Sequence, residues 1–320
     1  GAAFSDRPSP LKRFFKARKS MQGVDKMAPD AAQYFGGAGQ EYAEEFGTRK
    51  ETFAKISEKA RQHAANNPFA VFRERLSVEQ IMESPHIYGP LTRYQCCPPT
   101  CGAAAAVICS EDFARRHGLN NTITIKAQAM TTDFESTLHA QSLRKLVGVD
   151  MAKAAADQVF EEAGVGPEDV QVVELHDCFS ANELITYEAL GLCEEGKAGE
   201  FIDAGDNTYG GKYVVNPSGG LISKGHPLGA TGLAQCYELC SQVMWKKHKH
   251  NKEIIVTYTR CGERPIRDRW TGRGWRCNTT WAWAEPWSWR FIRWDSPWRR
   301  HRRHQPDLNM MTRMFHPCAR

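Results

Sequence analysis

Apolar residues in the first hundred positions recur with the spacing of helices. Phe53, Ile56, Ala60 and Ala64 fall on one face of a predicted helix, which Asn66-Asn67-Pro68 is expected to end. This part of the chain is therefore predicted to be helical, with charged outer faces and connecting loops.

Helix boundaries in this region are marked by capping signals. Two pairs have the spacing of capping boxes, in which each side chain satisfies a free backbone amide: Thr48 with Glu51, and Ser77 with Gln80. Pro29-Asp30 predicts a further helix start ahead of the glycines at 36, 37 and 39. Residues 1–27 are basic and contain Pro8, Pro10 and Gly23, so we expect a loop there.

From Gly102 onward, short apolar runs alternate with helix signals. Four runs predict strands: Ala103–Ile108, Thr122–Ile125, Val170–Leu175 and Ile254–Tyr258. Capping residues predict helices that open at four positions: Ser110, Asp150, Ser180 and Thr231. Strands that alternate with helices are typical of an α/β layered fold.

The composition of the 320 residues is that of a globular protein. Charged residues make up 25%, hydrophobic residues 41%, and the mean hydropathy is −0.54. These values exclude a collagen, a wholly disordered chain and a polytopic membrane protein. Uninterrupted apolar runs stay below the length of a membrane span, and the first residues lack the apolar core of a signal peptide.

Charge and tryptophan are distributed unevenly along the chain. The segment 260–320 holds 14 Arg and 5 acidic residues, and 8 of the 9 Trp, whereas the preceding part is mildly acidic. Its aromatic and arginine residues follow no helical or alternating period, so no regular element is predicted there. The preferred interpretation is translation in a shifted frame or through an intron; the alternative is an Arg- and Trp-based nucleic-acid-binding tail.

Eleven cysteines could indicate disulfides, but their placement favours a reduced compartment. Cys96 and Cys97 are adjacent, and Cys236 and Cys240 share one face of a predicted helix. The latter pair lacks two further ligands at zinc spacing, so no metal site is predicted.

The densest cluster of chemically active side chains is His176-Asp177-Cys178-Phe179. It follows a predicted strand and precedes a predicted helix, the edge where ligand groups converge in open α/β sheets. A helix N-terminus favours the thiolate of Cys178, and His176 can exchange protons near neutral pH. The alternative is a buried structural Cys and His.

A second cluster runs from Asn216 to Gly232 and leads into a helix. It is rich in Gly and Pro, so its backbone turns tightly and offers amides to an anion or an oxyanion. Candidate residues of this loop are Asn216, Ser218, Gly219, Gly220 and Gly225. His226 is held between Gly225 and Pro227. The alternative is an ordinary connection, and neither nucleotide-binding glycine pattern is matched.

With Asp206–Gly211, these two clusters resemble the C-terminal half of the thiolases, and in particular the sterol-carrier type. Ala31–Gly47 and Phe53–Pro68 resemble the loop domain that covers the coenzyme A site in that family. The resemblance spans roughly residues 1–245 and implies the family's α/β/α/β/α fold. It divides the chain into four parts: 1–101, loop domain and linker; 102–120, last strand and helix of the N-terminal half; 121–258, C-terminal half; 259–320, unrelated tail.

The resemblance implies acyl transfer in lipid and fatty-acid β-oxidation. Coenzyme A, as a substrate and not a cofactor, would cleave a 3-oxoacyl-CoA to a shortened acyl-CoA. By motif, His226 activates the nucleophile, Cys178 is the acid/base thiol and His176 lines an oxyanion hole. The family further implies a homodimer, no nucleic-acid partner, and location in the peroxisome, or alternatively the mitochondrion.

The sequence also departs from the family pattern. No Cys-Ala-Thr-Gly-like nucleophile motif is present, so the chain alone is expected to be inactive and to begin after that motif. Cys101 is an unfavoured substitute, and Cys96 and Cys97 match a segment taken as structural. The family's closing glycine-rich strand is absent after Trp245. The rival hypothesis is a non-catalytic acyl-CoA-binding half or a partner subunit. Exposed apolar surface is expected to make the chain prone to aggregation.

Overall fold

The computed structural model describes residues 11–119, 123–247, 263–267, 274–277 and 279–282. Within this part, the helices are α1 (Leu11–Gln22), α2 (Asp30–Phe46), α3 (Lys50–Ala64), α4 (Val78–Met82), α5 (Glu111–Arg116), α6 (Glu135–His139), α7 (Leu143–Leu146), α8 (Val149–Ala163), α9 (Ser180–Ala189), α10 (Ala198–Asp203), α11 (Gly220–Lys224) and α12 (Thr231–Lys247). The strands are β1 (His86–Tyr88), β2 (Leu91–Thr92), β3 (Ala127–Met130), β4 (Val172–Val173), β5 (Val214–Val215), β6 (Glu263–Arg267), β7 (Gly274–Cys277) and β8 (Thr279–Ala282). None of the described helices is long and apolar enough to cross a bilayer.

The core forms around α9, which packs against α2, α3, α8 and α10. The predicted apolar face of α3 is confirmed, because Phe53, Ile56, Ala60 and Ala64 are all fully buried. α9 itself is buried on nearly every side, as expected for a helix that lies between other helices. The chemistry-bearing segment at its N-terminus is therefore attached to a helix at the centre of the core.

Two short parallel strands bring the candidate segments together. β4 pairs with β5 in register, Val172 with Val214 and Val173 with Val215. The His-Asp-Cys-Phe segment follows β4 and the glycine-rich run follows β5, so both leave the same edge of the pair. The mixture of helices with parallel strands confirms the α/β class, although the predicted strand over 170–175 is limited to two residues.

Helix α2 passes through its glycines instead of ending at them. A Cβ at Gly36 would lie 2.7 Å from the carbonyl oxygen of Tyr88, and one at Gly39 would lie 2.8 Å from the Cβ of Ala181. The missing side chains let α2 approach β1 and α9 closely. Gly47, in the left-handed conformation with φ of 69°, then ends the helix.

Several helix predictions were wrong in detail. The loop expected over 1–27 is wrong over residues 11–22, which form α1, whose Phe14, Ala17 and Met21 pack on the core at helical spacing; residues 1–10 lie outside the described part. The Thr48 capping box is absent because α3 begins at Lys50 with Arg49 as its N-cap. Asp150 lies inside the first turn of α8, which Gly148 precedes.

Other helix boundaries were predicted correctly. The Ser77–Gln80 capping box is present, with both hydrogen bonds made. Ser110 caps α5 by accepting from the Phe113 amide, and Gly164 ends α8 in the left-handed conformation. α12 begins at Thr231, whereas α9 begins with Ser180 as its first helical residue and Phe179 as its N-cap.

Two strand predictions fail. Ala103–Ile108 has no regular secondary structure and is largely exposed, with Val107 at 79% and Ile108 at 76% exposure, and no strand of the described residues pairs with it. Of the strand expected at 122–125, residue 122 lies outside the described part and residues 123–125 form no strand; β3 begins at Ala127. The predicted strand Ile254–Tyr258 lies outside the described residues.

The segment after residue 259 contains regular elements, contrary to prediction. β6 pairs antiparallel with β7, and β8 pairs antiparallel with β3 from Ala127–Ala282 to Met130–Thr279. The lack of an alternating pattern did not exclude strands here, because β8 forms its backbone hydrogen bonds with β3, which lies about 150 residues earlier in the sequence.

Candidate active site

The His-Asp-Cys-Phe segment is attached to the glycine-rich run by Asp177. Its fully buried carboxylate accepts hydrogen bonds from the amides of Leu221 at 2.7 Å and Ile222 at 3.3 Å, in the first turn of α11. Burial and the nearby Glu183 raise the pKa of Asp177 well above its usual range, while the two amides oppose that shift. A Cβ at Gly220 would lie 2.0 Å from this carboxylate, so the position requires glycine.

The two candidate histidines meet. The rings of His176 and His226 lie edge to face, with their centroids 4.8 Å apart. Both side chains are buried, at 5% and 8% exposure. The structure thus brings together two residues that are 50 positions apart in sequence.

Thr231 links the ring of His226 to the backbone of the loop. Thr231 Oγ1 donates to the carbonyl oxygen of Pro227 at 3.1 Å and lies 2.8 Å from His226 Nδ1. When the hydroxyl proton is directed to Pro227, Nδ1 donates to Thr231, and Nε2 of the neutral ring holds a lone pair that can accept a proton from a nucleophile.

Cys178 lies two residues beyond His176 and is 5% exposed. Its carbonyl oxygen accepts from the amide of Cys97 at 2.9 Å, next to an isolated antiparallel bridge between Cys96 and Phe179. A parallel bridge joins Pro99 to His226. The segment 96–99 therefore lies alongside both candidate segments.

This placement of residues 96–99 was not foreseen, since Cys96 and Cys97 were taken as structural. The consecutive Cys-Cys-Pro-Pro residues, which favour extended backbone, were the available signal. Cys101 follows closely and is exposed, and a Cβ at its neighbour Gly102 would lie 3.0 Å from the Pro227 ring.

In the glycine-rich run, two predicted binding side chains are engaged by carboxylates. Asn216 donates from Nδ2 to Glu183 at 3.0 Å and accepts from the Leu175 amide at 2.9 Å. Ser218 donates from both its amide and its hydroxyl to Glu174, each at 2.9 Å. These side chains hold the loop in shape, so what the loop presents is backbone.

The other predicted loop residues have conformations that favour glycine. Gly219 has φ of 95° and Gly225 has φ of 111°, and a Cβ at Gly219 would lie 2.5 Å from Ala64 on α3. The glycine-rich run therefore packs directly on the helix that resembles the family's loop domain.

A buried polar network behind the loop was missed at the sequence level. Lys59 on α3 forms an ion pair with Glu183 and donates to the Val215 carbonyl at 3.3 Å. Tyr187 donates to the same Glu183 carboxylate and accepts from Asn207 at 3.0 Å. These polar residues lie among apolar residues on helical faces, so the sequence pattern did not single them out. The available signal was the i, i+4 spacing of Lys59 and His63, which places them on one helix face.

His63 completes the link between α3 and the loop. Its Nδ1 donates to the Asn216 carbonyl at 2.9 Å, and its Nε2 lies 2.8 Å from Thr208 Oγ1. Burial, reinforced by the positive charge of Lys59, lowers the pKa of His63 to about 4. His63 is therefore neutral at physiological pH.

Glu174 has the opposite response to burial. Desolvation raises the pKa of Glu174 to about 7, although Lys224 lies 3.7 Å away and the Ser218 hydrogen bonds favour the charged form.

Among the described residues, no group of three or more His, Cys, Asp and Glu side chains is arranged to hold a metal ion.

Comparison with known proteins gives one family match and many relatives. Residues 133–256 match the thiolase C-terminal domain-like family. Sterol carrier protein 2 of Rattus norvegicus is 53% identical over 244 residues, which is 76% of this chain and 44% of that protein. The benzoylsuccinyl-CoA thiolase subunit BbsB of Thauera aromatica is 42% identical over 196 residues, 61% of this chain and 50% of that subunit. The chain thus spans about half the length of these relatives.

The fold agrees with a solved structure. The Ltp2–ChsH2(DUF35) aldolase matches with a TM-score of 0.63 at 22% identity, over 80% of this chain and 63% of that one. At this identity the likeness concerns the fold alone. The family match, the sequence relatives and the shared fold agree: residues 133–256 match the thiolase C-terminal domain-like family, and the chain is thiolase-like.

Proposed function

We propose that this chain carries the acid/base half of an acyl-CoA thiolase site. The observation that supports it best is the meeting of His176 and His226, 4.8 Å apart, beside the segment that holds Cys178. A 3-oxoacyl-CoA is the proposed substrate, and coenzyme A is the second substrate. Relatives that include a thiolase subunit support this acyltransferase assignment.

In this proposal, His226 acts as the base that activates a nucleophilic thiol. Thr231 holds its Nδ1 proton, so Nε2 is available to take the proton of the attacking group. The attack splits a difficult carbon–carbon cleavage into two steps through an acyl-enzyme.

Cys178 is proposed to exchange a proton with C2 of the acyl group. During cleavage, its thiol protonates the carbanion that leaves at C2. His176 is proposed to donate a hydrogen bond to the thioester oxygen, where negative charge develops. Both groups are buried, and exclusion of water strengthens such interactions.

The nucleophile itself is the missing part, since the given sequence contains no Cys-Ala-Thr-Gly-like motif. We therefore expect no coenzyme A-dependent cleavage of a 3-oxoacyl-CoA by the 320-residue chain. If cleavage is observed and Cys101→Ser abolishes it, Cys101 is the nucleophile and the division of labour proposed here is wrong.

The acid/base half has a test that needs no nucleophile. The chain is incubated with acetyl-CoA in deuterium oxide, and mass spectrometry follows deuterium incorporation at C2. We expect incorporation above the uncatalysed rate, which Cys178→Ala reduces by about 100-fold or more. Cys193→Ala is the control, because Cys193 is a partly buried thiol that belongs to neither cluster.

The rival function, a non-catalytic acyl-CoA-binding half or partner subunit, gives a different result. Calorimetry would then detect coenzyme A binding, whereas C2 exchange would stay at the uncatalysed rate and would not respond to Cys178→Ala. Absence of both binding and exchange would refute both functions.

We propose peroxisomal fatty-acid β-oxidation as the setting of this protein, tested by fractionation of the source cells.

A further inference from the structure

The backbones of Cys97 and Cys178 are in direct contact. The isolated antiparallel bridge pairs Cys96 with Phe179, and the next residues in the same register are Cys97 and Cys178. As part of that bridge, the Cys97 amide donates to the Cys178 carbonyl at 2.9 Å. In an antiparallel pair, residues directly opposite each other project to the same face.

The neighbouring residues occupy the other face. Phe179 stacks on Phe35 of α2 with ring centroids 5.1 Å apart, and the Cys96 thiol donates to the Thr92 carbonyl at 3.4 Å. Since neighbouring side chains of paired segments alternate between faces, this register places Cys97 and Cys178 on the face opposite to Cys96 and Phe179.

This arrangement fits the geometry of a disulfide. Opposite residues of an antiparallel pair have Cα atoms about 4.5 to 5.5 Å apart, within the range of about 4.4 to 6.8 Å that disulfides span. The structure has no disulfide at this position. Cys97 is partly exposed whereas Cys178 is 5% exposed, so an oxidant in solution reaches Cys97 more readily.

We propose that Cys97 and Cys178 form a reversible disulfide when the protein meets hydrogen peroxide. Peroxide oxidises the sulfur of Cys97 to a sulfenic acid and leaves one molecule of water. The sulfur of Cys178 then attacks that sulfur, the S–S bond forms and a second water departs. Two thiols and one peroxide therefore give one disulfide and two waters, and a dithiol reductant reverses the change.

One consequence rests on the proposed function. The disulfide removes the Cys178 thiol, so C2 exchange of acetyl-CoA stops on oxidation and returns on reduction. The disulfide itself does not depend on that activity, because mass spectrometry detects it directly. Failure of the disulfide and failure of the proposed function are thus distinguishable.

Peptide mapping of the whole chain tests the disulfide. After peroxide, remaining thiols are alkylated, and the chain is cut with trypsin and a glutamate-specific protease without reduction. Peptide 175–183 then contains Cys178 as its single cysteine, and peptide 94–111 contains Cys97 with three others. We expect a cross-linked 94–111/175–183 pair that dithiothreitol separates, with fragment ions that place the link at Cys97.

Two variants sharpen the result. Cys97→Ser is expected to abolish the cross-linked pair, while Cys96→Ser, its adjacent control, leaves it in place. Absence of the pair in the unaltered chain, or fragment ions that place the link at another cysteine, overturns the proposal. The fragment-ion assignment needs no variant, so it decides the question even if Cys97→Ser fails to fold.

Discussion

At the scale of single residues, the proposed role of His226 requires Thr231 to hold the ring proton on Nδ1. Thr231→Val keeps the shape of the side chain but removes the hydroxyl that receives Nδ1–H. We expect the Nδ1-protonated form to lose its dominance and the unfolding free energy to fall by about 1–3 kcal/mol, because a buried donor is left unsatisfied. The ¹⁵N shifts of the His226 ring measure the tautomer.

Thr186→Val is the matched control for this measurement. Thr186 is also a buried threonine, and its hydroxyl donates to the Asn182 carbonyl at 2.6 Å within α9, away from the imidazole. Its substitution is expected to leave the His226 shifts unchanged. Unchanged His226 shifts in Thr231→Val would contradict the tautomer assignment.

His63 makes stability depend on pH. Its pKa is about 4 in the folded chain against 6.5 ordinarily, so the unfolded chain binds the proton more readily. Its contribution to stability is therefore present above pH 6.5 and is lost as pH falls towards 4. From pH 7 to pH 5 the loss is about 2 kcal/mol, given 1.36 kcal/mol per pKa unit.

Glu174 acts in the opposite sense, since its raised pKa, about 7, gives stability that is lost as pH rises through 7. The comparison is therefore between the unaltered chain and His63→Gln, both of which contain Glu174. Urea unfolding at pH 7 and pH 5 should show the two stabilities converging by about 2 kcal/mol. A constant difference between them would contradict the lowered pKa.

The residues of the site divide into those with a local sequence signal and those without one. His176, Cys178 and His226 stand beside turn residues and helix starts, so the sequence points to them. Lys59 and Glu183 occupy ordinary helical positions, and their ion pair joins α3 to α9 across 124 residues. Such a contact depends on how helices pack, which local patterns do not specify.

At the scale of elements, the glycines of α2 decide how closely it packs. Gly36→Ala improves helix propensity by about 1 kcal/mol, but its methyl group meets the Tyr88 carbonyl at 2.7 Å. Backbone cannot move aside cheaply, so a net loss of about 1–3 kcal/mol is expected on thermal or urea unfolding.

Gly199 in α10 provides the control for Gly36, because a Cβ there meets nothing within 4 Å. Gly199→Ala should be neutral or stabilise by up to about 1 kcal/mol. If both substitutions had the same effect, close packing would not be the reason for glycine at position 36.

The elements that were predicted correctly carry signals at their own ends, as in α4, α5 and the C-terminus of α8. Helix α1 shows how such signals can be misinterpreted. Gly23 was taken as a mark of a loop, yet with φ of 76° it directly follows the helix, while Pro10 lies outside the described residues. Strands were harder to predict, because an apolar run becomes a strand only beside a partner strand.

At the scale of the whole molecule, the site depends on both parts of the chain. α3, from the part that resembles a loop domain, contributes Lys59 and His63 to the glycine-rich run. The segment 96–99 contributes backbone contacts to the other cluster and to His226. Residues 133–256 thus acquire their site geometry from a preceding segment that the matched domain does not include.

The exposed run over residues 103–108 predicts how the whole molecule behaves in solution. It is apolar and uncharged, rich in small and β-branched residues, and has no partner strand in the described structure. Such a segment pairs readily with another copy. We expect concentration-dependent oligomers of increasing size on light scattering, and a marked reduction in the double variant Val107→Lys, Ile108→Lys.

Leu228→Lys is the control for that experiment, since Leu228 is 52% exposed but does not lie in the run. It should leave the oligomer distribution unchanged. A discrete dimer that persists in the double variant would instead indicate the homodimer implied by the family resemblance, formed through another surface. The unfolding midpoint of the double variant should stay within a few degrees of the unaltered chain, because Val107 and Ile108 are already exposed to solvent and their substitution removes no core contact.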